Sequence, residues 1–359
     1  MNTTTTPATH NPRPLLAEIR NGVGYLTLNR PAALNTINIS MVRDMHAALT
    51  QWEQNSSVKA VVVTGHGGKA FCAGGDVRRV HECITQGLQE YHEFFKEEFS
   101  LNEYIYTYPK PYIAMMNGIV MGGGMGISQG AAFRIVNETT RIAMPETAIG
   151  YFPDVGASYF LTRDNTSIAK YLGLSGKNLN HKDALFCKLA DWTLPQEQWT
   201  TFLSRLESID GDSIAMKHSI QALLTELGGS KDFESSVIND QISLIEEIFS
   251  ESTLQAIFQA LEKKSDHPWA QETKSNMMRN SPLAMAATLQ LLTQGEKLNL
   301  SDCFSIELEL TKHWLTKGEF AEGVRAALID KDKNPKWKYS ILDVVPSLIN
   351  EQFPVLFSN

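Results

Sequence analysis

Short runs of apolar residues predict the strands in the first half of the chain. Val23–Leu28 predicts one strand, which ends before Pro31 because a proline cannot donate to a neighbouring strand. Residues 40–52 predict a helix with Ser40 as its N-cap, and residues 58–64 form a β-branched run typical of a strand buried on both faces. This order of strand, helix and strand predicts a right-handed crossover unit.

Three more strands and then a change to helices are predicted further along the chain. Tyr112–Met116 is predicted as a buried strand, and Phe133–Val136 and Arg141–Ala143 as two shorter ones. Residues 77–106 show a helical pattern with an aromatic stripe, and helices dominate from about Ser158 onward. The chain therefore begins as an α/β protein and continues as a helical one.

Capping residues mark the boundaries of the later helices. The run Ser252-Thr253-Leu254-Gln255 fits a capping box, and Ser281-Pro282 opens a helix that Gly295 closes. No repeat, low-complexity tract or long Gly/Ser linker divides the chain. We expect a disordered N-terminal tail over residues 1–13, a core with the active site over residues 14–210, and a helical C-terminal region over residues 211–359.

Composition and charge indicate a globular enzyme and argue against a protein that binds nucleic acid. Of the 359 residues, 43% are hydrophobic and 20% are charged, which is usual for a globular enzyme. The net charge of −8 argues against a nucleic-acid partner, which would need a clustered basic surface. No apolar run reaches the roughly 18–20 residues of a membrane span, and the Thr-rich N-terminus lacks the apolar segment of a secretory signal. We expect a cytoplasmic protein with no membrane partner.

The cysteines and histidines show no spacing typical of a metal site. The four cysteines stand far apart, without a C-x-x-C pair, and the nine histidines include no H-E-x-x-H motif. We therefore expect no metal ion and cysteines that are buried as free thiols.

Two glycine-rich turns, each after a predicted buried strand, are the main candidate for a site. They contain Gly75 and Gly123, and the acids Glu146 and Asp154 follow the second turn. The two glycine amides could donate to one oxygen, as an oxyanion hole requires, or the glycines could serve only tight turns and close packing. Neither turn has the Gly-Lys-Ser/Thr of a phosphate-binding loop or the spacing of a dinucleotide-binding motif.

Four motifs resemble those of the crotonase (enoyl-CoA hydratase/isomerase) superfamily. KAFCAGGD at 69–76 and GIVMGGGMG at 118–126 are similar to its two oxyanion-hole segments. NRPAALN at 29–35 is similar to the turn after its first strand, and MPET at 144–147 to its catalytic-glutamate segment. The resemblance implies an α/β (α+β) fold, in which a spiral of repeated β-β-α units carries a helical C-terminal region.

Further segments resemble the 3-hydroxyisobutyryl-CoA hydrolase branch of that superfamily. They are FFKEEFSLN at 94–102, MPETAIGYFPDVGASYFL at 144–161 and FAEGVRAALIDKDKNPKW at 320–337. Hydratases of the superfamily carry a second glutamate shortly after the GGG turn, where this chain has Gly126. Because adding water across a double bond uses two acids, this absence together with Asp154 favours hydrolysis over hydration.

The resemblance also implies the reaction and the residues that carry it. The reaction is hydrolysis of a short β-hydroxyacyl-CoA thioester, with 3-hydroxyisobutyryl-CoA of valine breakdown as the expected substrate and no separate cofactor. Gly75 and Gly123 are the expected oxyanion donors, and Glu146 and Asp154 the acid/base pair. Glu98 is expected to line the acyl pocket together with Gly123, Glu146 and Asp154. The oligomeric state stays open: the resemblance allows a homo-oligomer, since relatives often assemble through C-terminal helices, but this longer C-terminus could instead fold back and cover its own domain.

The sequence leaves alternatives open, both for the function of the protein and for the residues that form the site. An enoyl-CoA hydratase or isomerase and a non-catalytic acyl-CoA-binding protein are the alternative functions. From pattern alone, Glu97 is as plausible as Glu98. The run Gly126-Ile127-Ser128-Gln129-Gly130 matches the G-x-S-x-G nucleophile elbow of α/β-hydrolases, in which Ser128 would be the nucleophile.

Structural roles compete with the catalytic ones for three groups of residues. Glu146 after Pro145 could be an acid at the start of a helix, and Asp154 after Pro153 could be a turn former. The lysines at positions 331, 333, 336 and 338 could reach the phosphates of CoA or form a solvated end of the chain.

Overall fold

The computed structural model describes residues 13–209, 211 and 213–357 of the chain. The predicted N-terminal tail therefore lies, apart from residue 13, outside the described residues. The strands are β1 (Leu15–Arg20), β2 (Val23–Leu28), β3 (Ala60–Gly65), β4 (Ala70–Cys72), β5 (Tyr112–Met116), β6 (Ile119–Met121), β7 (Phe133–Val136), β8 (Arg141–Ala143) and β9 (Trp192–Thr193).

The α-helices within these ranges fall into an early and a late group. The early helices are α1 (Ile39–Gln54), α2 (Val77–Gln86), α3 (Glu90–Tyr106), α4 (Gly123–Gln129), α5 (Ala157–Phe160), α6 (Thr166–Ser175), α7 (His181–Phe186) and α8 (Trp199–Leu206). The late helices are α9 (Ser213–Glu226), α10 (Val237–Asp240), α11 (Ile242–Phe249), α12 (Leu254–Lys263), α13 (Pro268–Met277), α14 (Pro282–Gly295), α15 (Leu300–Lys317), α16 (Phe320–Val324) and α17 (Pro346–Gln352). A 3₁₀ helix forms at Glu146–Ile149, and a π-helical turn at Arg325–Ile329 continues α16.

Two sheets organise the first half of the chain. The larger has the strand order β1-β2-β3-β5-β7-β9, in which only the β1–β2 pair is antiparallel, and the smaller has the order β4-β6-β8 with parallel pairs. Three pairs of successive strands, β3 and β4, β5 and β6, and β7 and β8, each add one strand to each sheet before a helix follows. The chain thus forms the predicted spiral of β-β-α units.

The larger sheet is covered on both faces. In β3, Val61 and Val63 belong to the main hydrophobic core, whereas Val62 belongs to a second core on the other face. The second core also contains apolar residues of α8 and α9, such as Phe202 and Ile220. The prediction that this β-branched run is buried on both faces is therefore confirmed, and α9 packs on the core although it follows the predicted boundary at 210–211.

Two helix starts differ from the prediction. α1 begins after Asn38 rather than Ser40, because the Asn38 side chain accepts the amide hydrogen bond of the residue three positions on, at 3.0 Å. α12 begins after Thr253, whose hydroxyl accepts in the same way at 3.2 Å. Ser252 is therefore not the cap, and Gln255 donates instead to a distant carbonyl, that of Ile341.

Glycine and serine set three other helix boundaries, of which one was not predicted and two were. The helical pattern over residues 77–106 is two helices, because Gly87 has a φ of 69° and ends α2. The prediction for α14 is confirmed, since Ser281 caps its first turn and Gly295 is its last residue. Strands β4, β6 and β9 have two or three residues each and were not predicted, because so short a run carries little periodicity. β8 is equally short, but its strand was predicted with the observed bounds.

The C-terminal region folds back over the core. α16 packs against α2 and against the 3₁₀ helix at Glu146–Ile149, and the approach is close. A methyl group on Gly323 would lie 2.2 Å from the carbonyl carbon of Ile149, and one on Gly150 would lie 2.4 Å from the carbonyl oxygen of Glu319. Glycine at both positions lets the two backbones touch. Within the described ranges, no helix is both long and apolar enough to cross a membrane.

Candidate active site

The five residues predicted to act all line one cavity of about 270 Å³, called here the central cavity. Its lining consists of Ala73, Gly74, Gly75, Val77, Phe94, Phe95, Glu98, Met121, Gly122, Gly123, Pro145, Glu146, Ala148, Ile149, Tyr151, Asp154, Val155, Phe320 and Leu328. Most of these side chains are apolar, and the polar groups among them are the three carboxyl groups and the Tyr151 hydroxyl. The structure thus brings together Gly75, Glu98, Gly123, Glu146 and Asp154, and it adds Phe320 and Leu328 from the C-terminal region.

The glycine turn at residues 122–124 forms one wall of the central cavity and leaves no room for side chains. β6 leads into Gly122, which has a φ of 48°, and α4 starts at Gly123. A methyl group on Gly123 would lie 2.6 Å from Oε1 of Glu98 and 3.3 Å from the amide nitrogen of Gly75. Glycine is required here because the two turns and a carboxyl group approach one another at van der Waals distance.

The loop with Gly75 follows β4 and is held by residues from the start of the chain. The Ile37 carbonyl accepts the amide hydrogen bond of Asp76 at 2.8 Å, and the Arg30 guanidinium donates to the Asp76 carboxylate at 2.9 Å. Among the described residues, the amide N–H groups of Gly75 and Gly123 donate to no other group. Both remain available to a ligand, and two such donors side by side are what an oxyanion hole needs.

Glu146 reaches the central cavity from the 3₁₀ helix after β8. The residue is 7% exposed, and its Oε2 has no hydrogen-bond partner in the described part of the chain. A methyl group on Gly122 would lie 3.0 Å from its Oε1, so the carboxyl group lies beside the glycine turn. Burial raises the pKa of Glu146 to about 8. The 3₁₀ helix is anchored at Thr147, whose carbonyl accepts from the Ser281 amide at 2.9 Å.

Asp154 lies in the turn before α5 and faces the other two acids. It is 5% exposed. Burial raises the pKa of Asp154 well above its usual range, and the nearby carboxyl groups of Glu98 and Glu146 raise it further. Three carboxyl groups in one apolar cavity do not all ionise at neutral pH, so the cluster holds protons that it can donate as well as sites that can accept them.

The structure also distinguishes Glu98 from Glu97 on α3. Glu98 is 2% exposed and turned into the central cavity, where burial raises its pKa to about 8. Its Oε1 has no hydrogen-bond partner among the described residues. Glu97 instead forms a two-bond pair with the Arg43 guanidinium on the surface, at 2.6 and 2.7 Å, and this pairing lowers its pKa. Of the two acids, Glu98 lines the cavity.

The whole of this arrangement falls inside one known family. A family model described as enoyl-CoA hydratase/isomerase matches residues 23–353. The chain belongs to the enoyl-CoA hydratase/isomerase family. The matched range includes every strand after β1, the central cavity and α16, so the family covers the C-terminal region as well as the spiral.

Curated relatives within the family carry the name of a hydrolase. The chain is 36% identical over 337 residues to the mitochondrial 3-hydroxyisobutyryl-CoA hydrolase of Danio rerio, covering 92% of this chain and 85% of that protein. It is 34% identical over 353 residues to the human protein of the same name, covering 96% and 89% of the two chains. These relatives agree with the branch of the family that the sequence motifs predicted.

Solved structures of the same fold carry the names of enzymes that add or remove water. A carnitinyl-CoA dehydratase from Mycobacterium thermoresistibile superposes with a TM-score of 0.87 at 32% identity, covering 97% of both chains. An enoyl-CoA hydratase from Rhodobacter sphaeroides superposes with a TM-score of 0.85 at 33% identity, covering 95% of this chain and 97% of that one. The family and the fold are thus established, and the chemistry of the site distinguishes among the reactions of such enzymes.

The position at which hydratases of the family carry a second glutamate is closed in this protein. A methyl group on Gly126 would lie 2.6 Å from Nδ2 of Asn102 and 2.8 Å from Cβ of Val155. Any side chain at this position would therefore collide with two buried neighbours before it reached the central cavity. The packing around α4 therefore leaves no room for a second glutamate. Val155, next to Asp154, occupies the space that its side chain would need.

Ser128 does not lie in a nucleophile elbow. It is fully buried within α4, does not line the central cavity, and its hydroxyl donates to the Met125 carbonyl one turn earlier at 3.1 Å. The described part of the chain contains no group of three or more His, Cys, Asp or Glu residues arranged as metal ligands. All four cysteines are buried free thiols, as the sequence predicted.

Several residues around the site were missed by the sequence reasoning. Asn102 and Val155 fill the space beside Gly126, and Glu307 of α15 binds the backbone just after Asp154. A sequence signal existed for Glu307, because it is the one acid at the helical spacing of the buried residues Phe304 and Leu310. No signal in the sequence pointed to the crowding at Gly126, which depends on three separate segments.

Proposed function

We propose that this protein hydrolyses a short β-hydroxyacyl-CoA thioester, with 3-hydroxyisobutyryl-CoA as the expected substrate. The observation that carries the proposal is the central cavity, where three buried carboxyl groups face two free backbone amides in about 270 Å³. A cavity of this size suits a short acyl group better than a long one. The names of the curated relatives supply the β-hydroxyacyl group as the expected substrate class.

In the proposed mechanism, the thioester carbonyl oxygen accepts hydrogen bonds from the amides of Gly75 and Gly123. Glu146 then acts as a general base that takes a proton from water, or as a nucleophile that attacks the carbonyl carbon itself. In either case the negative charge that develops on the carbonyl oxygen lies at the two amides. Donors of this kind contribute about 3–4 kcal/mol each to transition-state stabilisation.

Collapse of the tetrahedral species breaks the C–S bond and releases the CoA thiolate. A thiol has a pKa of about 8.5, so its thiolate leaves with little acid assistance. On the general-base route, the proton that Glu146 took from water returns to the thiolate. On the nucleophile route, the thiolate leaves behind an acyl–glutamate anhydride, which water hydrolyses to the hydroxy acid and the Glu146 carboxylate, and a proton from that water goes to the thiolate. Asp154 and Glu98 are the groups that hold the attacking water or the β-hydroxyl of the substrate. The products are the hydroxy acid and CoA, and the reaction proposed uses no separate cofactor.

Hydration of an enoyl-CoA on the same fold is the competing function, because two similar structures carry that kind of name. The closed position at Gly126 argues against it, since the second acid that hydration uses has no place there. A non-catalytic acyl-CoA-binding protein is the third candidate. It is disfavoured because three buried, partly unpaired carboxyl groups are costly to the fold and typical of a reacting site.

A thiol-trapping assay separates the three functions. Wild type and Glu146→Gln are incubated with 3-hydroxyisobutyryl-CoA, 3-hydroxypropionyl-CoA and crotonyl-CoA, and released thiol and loss of the enoyl absorbance are both recorded. We expect thiol release from a hydroxyacyl ester, and a loss of about 10²–10⁴-fold in the Gln variant. Enoyl turnover without thiol would establish a hydratase, and binding without either signal would establish a non-catalytic protein.

Whether Glu146 is the nucleophile or the general base is decided by isotope transfer. A single turnover in H₂¹⁸O labels the Glu146 carboxylate if an acyl–glutamate anhydride forms and is cleaved at the enzyme carbonyl. Mass spectrometry of the peptide that contains residues 144–161 detects the label. A labelled peptide establishes the nucleophile route. An unlabelled peptide with labelled product shows that water attacks the substrate's carbonyl carbon, as the general-base route requires.

A further inference from the structure

α15, in the C-terminal region, contacts the chain on both sides of Asp154. Trp314 donates from its indole nitrogen to the Gly150 carbonyl at 2.8 Å, and the Thr311 hydroxyl is 2.8 Å from the Tyr151 hydroxyl. Glu307 lies one helical turn before Thr311, and these three residues of α15 therefore share one face at spacings of four and three. This polar stripe runs alongside residues 150–158, the segment that carries Asp154.

Glu307 makes the most contacts of the stripe. Its Oε2 accepts from the Gly156 amide at 2.7 Å, and its Oε1 accepts from the Ser158 amide at 2.9 Å and from the Ser158 hydroxyl at 2.6 Å. The residue is completely buried and does not line the central cavity. A buried carboxyl group that accepts hydrogen bonds from three donors on two residues fixes the position of the backbone that carries those donors.

The backbone held in this way is in a conformation that it would not adopt unaided. Val155, immediately after Asp154, has a φ of 56°, and Gly156 has a φ of 89°. A positive φ is unfavourable for a β-branched residue and persists only where surrounding contacts impose it. Val155 is also the residue that occupies the space beside Gly126.

We propose that Glu307 is a positioning residue that holds the turn after Asp154, so that the C-terminal region sets the orientation of the catalytic carboxyl group. The inference rests on the proposed function for its catalytic readout. Because Glu307 belongs to the C-terminal region, we also expect that region to be needed for activity, even though Glu307 itself touches no substrate. Loss of the Glu307 bonds lets Val155 relax and moves Asp154 relative to Glu146.

The test compares Glu307→Gln with Glu309→Gln. Glu309 lies two residues away on the exposed face of α15, where it pairs with Lys312 at 2.7 Å, so it is a matched control. For the hydroxyacyl-CoA ester, we expect Glu307→Gln to lower kcat by about 10–100-fold with KM changed by less than about threefold, because a small displacement of a reacting group costs that much. Glu309→Gln should stay within about twofold of wild type in both constants.

A double-mutant cycle with Asp154→Asn tests whether Glu307 acts through Asp154. If it does, adding Glu307→Gln to Asp154→Asn costs less than about twofold further, since the group being positioned is already altered. Full additivity of the two losses would overturn the inference, and so would a Glu307→Gln variant as fast as wild type. If Glu307→Gln does not fold, Ser158→Ala replaces it, because this variant removes only one of the three hydrogen bonds to Glu307. The double-mutant cycle of Ser158→Ala with Asp154→Asn then tests the same coupling, with a smaller expected loss of kcat.

Hydrogen exchange of the Gly156 and Ser158 amides gives a readout that does not depend on turnover. We expect both amides to exchange faster in Glu307→Gln and at the wild-type rate in Glu309→Gln. If wild type hydrolyses none of the esters, the proposed function fails, and the exchange result still decides the positioning role. Unchanged exchange at both amides in Glu307→Gln would overturn it.

Discussion

The pH dependence of hydrolysis follows directly from the burial of Glu146. As nucleophile or as general base, Glu146 acts only in its ionised form. Its carboxyl group lies in an apolar cavity, with Oε2 unpaired among the described residues, and burial raises its pKa to about 8. A carboxyl group with a raised pKa is neutral below that value, so the enzyme loses activity as the pH falls.

The size of the effect follows from the pKa. With a value of about 8, roughly half of Glu146 is ionised at pH 8, about 10% at pH 7 and about 1% at pH 6. We therefore expect kcat/KM to rise about tenfold per pH unit from pH 6 to about 7.5 and to level off near pH 9. A surface glutamate, with a pKa near 4.5, would give a flat profile over this range.

The assay is thiol release from the hydroxyacyl ester at constant ionic strength between pH 6 and 9. Glu146→Gln supplies the background, which includes hydrolysis by hydroxide. Glu98 has the same raised pKa, so Glu98→Gln is the matched variant. Burial is the main cause of the shift at Glu146, and the rise near pH 8 should therefore persist in Glu98→Gln, although its maximum is lower.

Two results would refute this reasoning. A flat profile in wild type, with Glu146→Gln strongly impaired, would mean that Glu146 is ionised throughout and that burial does not control it. A rise near pH 8 that disappears in Glu98→Gln would mean that Glu98 is the group whose ionisation limits the rate.

Three further predictions concern single residues around the central cavity. Glu98→Gln lowers kcat/KM by about 10–100-fold, whereas Glu97→Gln stays within about twofold, because only Glu98 faces the cavity. Gly126→Glu gains no crotonyl-CoA hydration and lowers Tm by about 3 °C or more, because its Cβ would lie 2.6 Å from Nδ2 of Asn102. Glu146→Gln melts above wild type, and the gap widens by about 3–6 °C between pH 5 and pH 8. The sign follows from linkage: folded Glu146 keeps its proton up to about pH 8 while the unfolded chain releases it near 4.5, so wild-type stability falls as pH rises.

Each of these predictions has an outcome that contradicts it. Equal losses in Glu97→Gln and Glu98→Gln would mean that α3 matters for stability rather than for the cavity. Hydration of crotonyl-CoA by Gly126→Glu would show that the packing around Asn102 yields more easily than its contacts suggest. A gap in Tm between Glu146→Gln and wild type that is constant with pH, measured by calorimetry, would mean that Glu146 is not buried in its neutral form.

The sequence by itself determined the elements whose pattern is local. Val23–Leu28, Tyr112–Met116 and Phe133–Val136 form strands with the predicted bounds, because a buried strand needs only a short apolar run. The helix caps were less certain. Asn38 and Ser40 are both suitable residues, and only the folded backbone decides which side chain reaches a free amide.

For the site, the sequence supplied the residues and the tertiary structure decided how they are used. The two glycine turns and the acids Glu146 and Asp154 were found from their order and from the family resemblance, since glycine is required where backbones touch. The choice of Glu98 over Glu97 needed the orientation of α3. The closed space at Gly126 arises only where α3, α4 and the turn after Asp154 meet, because contact between segments distant in sequence leaves no local pattern.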